Sequence, residues 1–260
     1  ENYRRALELR NSRKYPLFIL LLLANPYIVS SLCSVNKEVF GFLFFSLFLR
    51  YTFERQVARY MIVTLVSFVI RDAYAVAGLI FFMLTHLRIS KMYYLIVLSI
   101  IFPFIMLSGQ EAILLEGQDE ISLGISLLLN NVQSYPFGYV LTYVPKLLLS
   151  AFADLSPLRF VKPADNIIGN FTTISAALTL VLSLGLLYRI SVKNVQCDAT
   201  ILNLFYAYTL VSAATLFIHH RYLFPLYPIL VMLVLTTTQR SAKELSGSSG
   251  LLLPPRGGRT

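Results

Sequence analysis

Three short clusters hold the residues of this chain whose types and spacing best suit chemistry. Near the C-terminal end, His219, His220 and Arg221 stand inside the run Phe217-Ile218-His219-His220-Arg221-Tyr222-Leu223-Phe224-Pro225-Leu226-Tyr227-Pro228. Arg71-Asp72 interrupts an apolar stretch from Tyr60 to Leu87, and Lys37-Glu38 follows Asn36. An arginine presents a planar fork of five donors that matches phosphate oxygens. Two arginines on one face, with Lys37 beside them, suit a pyrophosphate better than either alone. His220 or His219 can give or take a proton near neutral pH, and Glu38 and Asp72 are competing bases. Each cluster also has a plainer reading. An arginine at a membrane boundary can simply snorkel into headgroups, and Arg71-Asp72 can be a local ion pair or an interfacial anchor.

Which reading holds depends on the elements that carry the clusters. The chain is 57% hydrophobic and 13% charged, with a mean hydropathy of +0.68. Ordinary soluble domains carry about 25% charged residues. Several apolar runs approach the roughly 20 residues that cross a bilayer as a helix. They are continuous rather than alternating, which excludes a barrel and leaves an all-α, polytopic integral membrane protein. The net charge of +9 then reads as positive-inside loops and not as a nucleic-acid surface.

In chain order, residues 1–14 are a basic cytoplasmic segment and 15–238 a transmembrane helical domain. The first span, about Tyr15 to Cys33, is kinked at Asn25-Pro26 because proline removes a backbone hydrogen bond. Val39 to Phe53 and Met61 to Ile70 are short, and either cross or dip as a hairpin; Ala73 to Leu87 and Met92 to Ser108 follow. Residues 109–166 are a long extracytoplasmic loop whose first part holds Glu111, Glu116, Asp119 and Glu120. Its apolar part, Gly138 to Ala153, is split by Pro145-Lys146 and reads as interfacial or re-entrant. Ile167 to Leu187, Ala199 to Ile218 and Leu223 to Thr238 complete about eight spans, and residues 239–260 form a disordered cytoplasmic tail. The chain starts at Glu1 without a signal peptide and reads as a fragment lacking earlier helices.

Orientation follows from charge. With the N- and C-termini in the cytoplasm, the inside loops hold 16 of the 22 basic residues, among them Lys14, Arg50, Arg55, Arg59, Arg88, Lys91, Arg189 and Lys193. Lys37, Arg71, Lys146, Arg159, Lys162 and Arg221 remain outside. The positive-inside rule favours this arrangement, which puts all three chemical clusters on one extracytoplasmic face. Cys33 and Cys197 fall on opposite sides and cannot pair, and no Cys/His spacing suggests a metal.

The pattern Arg-Tyr-x-x-Pro-x-x-Pro at Arg221 to Pro228 resembles the last helices of bacterial polytopic sugar-transfer proteins, the Wzy-type O-antigen and capsule polymerases and the GT-C glycosyltransferases. Asn25-Pro26-Tyr27 followed by Asn36-Lys37-Glu38, and Pro145-Lys146-Leu147-Leu148 leading to Ser156-Pro157, are similar to them as well. The aspartate-bearing first outer loop of GT-C enzymes is not visible. The resemblance implies a polyprenyl-pyrophosphate-linked oligosaccharide as substrate, no metal or other cofactor, a bacterial inner membrane, and chain-length regulators or flippases as partners. It makes the expected function extension of lipid-linked glycans in surface polysaccharide biosynthesis. The competing class is a flippase or small-solute transporter without chemistry, which would place charges near the midplane and show inverted repeats.

Overall fold

A computed structural model describes residues 14–33, 37–87, 90–94, 96–97, 132, 138–151, 167–193, 195–213 and 225–239. These residues are almost wholly helical: α1 (Lys14–Leu23), α2 (Pro26–Cys33), α3 (Lys37–Phe53), α4 (Val57–Ile70), α5 (Asp72–His86), α6 (Gly138–Ala151), α7 (Ile167–Lys193), α8 (Ala199–Ala213) and α9 (Leu226–Thr236). Among the described residues, extended pairing is confined to an antiparallel ladder in which β1 (Val195–Gln196) meets β2 (Thr238–Gln239).

Charges set the helix breaks. After α3 the chain turns at Glu54-Arg55-Gln56, where Gln56 N–H donates to the Tyr51 carbonyl and Arg55 N–H to that of Thr52. That bond pair is a Schellman cap, and Arg55 occupies its left-handed position (φ 56°) where glycine is usual. Arg71 separates α4 from α5 with extended angles, φ −163° and ψ 123°. Its N–H closes α4 on Ser67 and its carbonyl accepts Tyr74 N–H to open α5.

Three consecutive helices, α3, α4 and α5, form an up-and-down unit on an aromatic core. Tyr60 donates its hydroxyl to the Gly78 carbonyl at 2.6 Å and stacks near Phe48 and Phe82. Gly41 and Gly78 permit the close approach. A Cβ on Gly41 would sit 2.7 Å from the Tyr74 ring, and one on Gly78 would sit 2.7 Å from that of Phe48. α8 packs antiparallel along α5: Asn203 reaches the Leu84 carbonyl, while Tyr208 lies against Tyr74 and Phe45. α9 runs antiparallel to α1, pairing Tyr227 with Leu21 and Leu235 with Lys14.

The core is apolar and aromatic, but some helices turn hydroxyls inward and large apolar side chains outward. On α4, Tyr60, Thr64 and Ser67 are buried at i, i+4 and i+7, whereas Leu65 is 70% and Val69 85% exposed. Thr142, Thr179, Ser183 and Thr209 are likewise buried, while Val181, Leu187 and Val192 of α7 are exposed. Inward hydroxyls bond to carbonyls of the preceding turn, as Thr64 does to Tyr60 and Thr209 to Phe205. Within α7, residues Thr173–Val192 form one helix long and apolar enough to cross a bilayer. α3, α4 and α5 are shorter apolar helices, about 21–25 Å long at 1.5 Å per residue.

The kink expected at Asn25-Pro26 is a sharp turn: α1 and α2 meet at 76°. Asn25 is fully buried, and its Oδ1 caps α2 by accepting the N–H groups of Tyr27 and Ile28.

Candidate functional site

Helix directions place the chemical residues. Gly41 of α3 touches Tyr74 of α5, so the first turns of both helices lie together at what is here termed the upper end. α3 starts at Lys37-Glu38 and α5 at Arg71-Asp72. The side chains of Lys37 and Glu38 lie outside the described residues. α8 rises toward the same end, since Tyr208 meets Tyr74 there. His219, His220 and Arg221 lie outside the described residues, between the last described residue of α8 and the start of α9.

Arg71 is half-buried, with its guanidinium 5.6 Å from the centre of the Tyr74 ring. That cation–π contact places Arg71 beside the first turn of α5. Tyr74 is itself fixed, being fully buried against Gly41, Phe45 and Tyr208. Asp72 is exposed on the first turn of α5, and its Oδ1 accepts the Ala73 N–H at 2.7 Å. There it complements the positive helix terminus. An ion pair joins Arg50 to Glu54 at the opposite end of α3 from its first turn.

Basic residues elsewhere gather at the lower end. Lys14 Nζ donates to the Leu235 carbonyl at 3.0 Å and Arg189 Nη1 to that of Val234 at 2.8 Å, so two cations cap the last turn of α9. Arg50, Arg55 and Arg59 flank the α3–α4 turn, and His86 ends α5. Cys197, half-buried beside β1, belongs to this end. Burial pushes its thiol pKa up, Arg189 opposes that shift and Asp198 adds to it.

One residue that spacing did not single out as a site is Lys146, only 1% exposed although it follows a proline on α6. Thr142 and Tyr143 share its buried face, and Tyr143 donates to the Leu210 carbonyl of α8. No group of three metal-ligating side chains occurs among the described residues.

Comparison with protein families, with characterised proteins and with solved structures finds no match.

Proposed function

We propose that this chain is a polytopic membrane protein of about eight spans, its lower end cytoplasmic and its upper end extracytoplasmic, that extends polyprenyl-pyrophosphate-linked glycans in a bacterial inner membrane. The observation that carries the reading is the sorting of charge by helix direction. Lys37-Glu38 and Arg71-Asp72 begin two neighbouring helices at one end, and Lys14, Arg50, Arg55, Arg59 and Arg189 lie at the other. The large apolar side chains exposed along α4 and α7 support lipid as the surrounding solvent.

In this reading a hydroxyl of the acceptor sugar attacks the anomeric carbon of the donor glycan. The new glycosidic bond forms as the bond from that carbon to the lipid pyrophosphate breaks. Arg71 and Arg221 hold the departing pyrophosphate, the electrostatic contribution that dominates such transfers. His220 or Glu38 takes the hydroxyl proton, with Lys37 as a further cation and Asp72 as the alternative base. No metal is required, because two guanidinium forks carry the leaving group's charge.

The test compares Arg71→Lys and Arg221→Lys with the corresponding alanine variants, at matched protein level in the membrane. A bidentate phosphate clamp predicts that lysine fails nearly as badly as alanine, shortening carrier-linked glycans at least about tenfold. Normal glycan length in both lysine variants would reduce these arginines to headgroup anchors and remove the proposed site.

A further inference from the structure

We propose that the α3–α4–α5 unit opens at its lower end while its upper end stays closed. The three helices part below the aromatic layer of Phe48, Tyr60 and Phe81 and admit water to Thr52, Gln56 and Thr85. This device does not depend on what the upper end binds.

The register of the unit places these three side chains. Gly41, Phe45, Phe48 and Thr52 follow at i, i+4, i+7 and i+11 on α3, and Tyr74, Gly78, Phe81 and Thr85 repeat that spacing on α5. Residues so spaced share one face of a helix. The two faces meet, because a Cβ on Gly41 would touch Tyr74 and one on Gly78 would touch Phe48. On α4 the Tyr60 ring centre lies 5.0 Å from that of Phe48 and 6.4 Å from that of Phe81. Its N–H donates to the Gln56 carbonyl one turn earlier. Thr52, Gln56 and Thr85 therefore each lie one helical turn below the same buried aromatic layer.

In this layer Thr52 Oγ1, Gln56 Oε1 and Thr85 Oγ1 are each buried with no hydrogen-bond partner among the described residues. By contrast Thr64, Thr142, Thr179, Thr209 and Thr236 each donate to the carbonyl four residues earlier. A buried hydroxyl or amide without a partner is destabilising, and contact with water removes that penalty. Three such groups in one layer make it the easiest place for the unit to part. The turn joining α3 to α4 adds a second penalty. Arg55 there holds φ 56°, a left-handed angle that strains a side chain but not a glycine. Both penalties fall when the turn relaxes. Above the rings the polar groups are bonded: Tyr60 to the Gly78 carbonyl, Thr64 to that of Tyr60 and Ser67 to that of Thr64. Opening therefore stops at the aromatic layer, as a local event well below global unfolding.

The alternative is a permanently closed layer in which a trapped water bridges the three groups. The full chain in lipid nanodiscs, with Cys33→Ser and Cys197→Ser as background, separates the two. Thr85→Cys and, separately, Thr52→Cys are labelled with iodoacetamide, a small neutral reagent, and Thr64→Cys above the rings is the protected control. Both lower cysteines should label at least about tenfold faster than the control, since local opening is far more frequent than global unfolding. Gln56→Met removes an orphaned oxygen and Arg55→Gly removes the backbone strain. Added together, they should slow labelling of Thr85→Cys at least about threefold by favouring the closed form. In the chain without added cysteines, Thr52→Val with Thr85→Val should raise the thermal midpoint, whereas Thr64→Val, which loses a made hydrogen bond, should lower it. Labelling of the lower positions no faster than the control would overturn the proposal, as would a Thr85→Cys rate unmoved by the two added changes. A lowered midpoint in the Thr52→Val, Thr85→Val variant would overturn it too, because that is the result a bridging water predicts. Where a cysteine variant fails to fold, the midpoint comparison decides alone.

Discussion

The two ends of the bundle use their cations differently. At the lower end, Lys14 and Arg189 are spent on the carbonyls of α9, and Arg50 is paired with Glu54 one turn on. Each has a partner whose position the fold already requires. At the upper end, Arg71 lies over the face of Tyr74, whose ring is locked by a glycine on α3 and a tyrosine on α8. An aromatic ring is among the groups that Arg71 meets, whereas carbonyl and carboxylate oxygens receive the three lower-end cations. The difference teaches that charge counts alone cannot rank the basic residues; the kind of partner can.

The comparison sharpens first at Gly41. Gly41→Leu drives a branched side chain into the space of the Tyr74 ring, and about 1–3 kcal/mol of destabilisation is expected from such overpacking. It should lower the thermal midpoint and also disturb Arg71, so glycan extension should fall further than the loss of folded protein accounts for. Loss of activity strictly proportional to folded protein would reduce Tyr74 to packing. At the lower end, Arg189→Ala removes a charged hydrogen bond to Val234, worth about 1.5 kcal/mol or less once its partial exposure is allowed for. Stability should drop while glycan length per folded molecule stays unchanged. A shortened glycan would mean that the lower end takes part in the chemistry. Smallest of all, Glu54→Gln breaks an exposed i,i+4 pair and should cost about 0.3–0.5 kcal/mol, vanishing in high salt. A larger, salt-insensitive loss measured by thermal unfolding would show that the α3–α4 turn depends on that pair.

Much of this was legible in the sequence because charges bracket apolar runs. The apolar runs Val39 to Phe53, Met61 to Ile70 and Ala73 to Leu87 correspond to the helices α3, α4 and α5, whose breaks fall at Glu54-Arg55-Gln56 and at Arg71. The proline at 26 signalled a kink but not its 76° size, since proline removes a bond without dictating where the next helix packs. Burial of Lys146 was hidden, because a lysine after a proline looks interfacial until α7 and α8 are seen on either side. Gly41 was hidden too, since a lone glycine in an apolar run does not reveal which ring lies against it. Arg71 and Asp72 were visible as charges interrupting a hydrophobic stretch, but their separate roles depend on the ring and the helix terminus beside them.

The central claim is that the two ends lie on opposite sides of a membrane, and the chain's two free cysteines report on it. Cys33 is exposed at the end of α2, and Cys197 is half-buried at the lower end beside β1. A membrane-impermeant maleimide added to intact cells should label Cys33 and leave Cys197 untouched. After permeabilisation Cys197 should react as well, slowly near neutral pH and faster as pH rises, because its raised pKa leaves less thiolate. The variants Cys33→Ser and Cys197→Ser assign each signal. Labelling of Cys33 from outside and of Cys197 only after permeabilisation is the predicted result; labelling of Cys197 in intact cells, or of both cysteines from the same side, would contradict it.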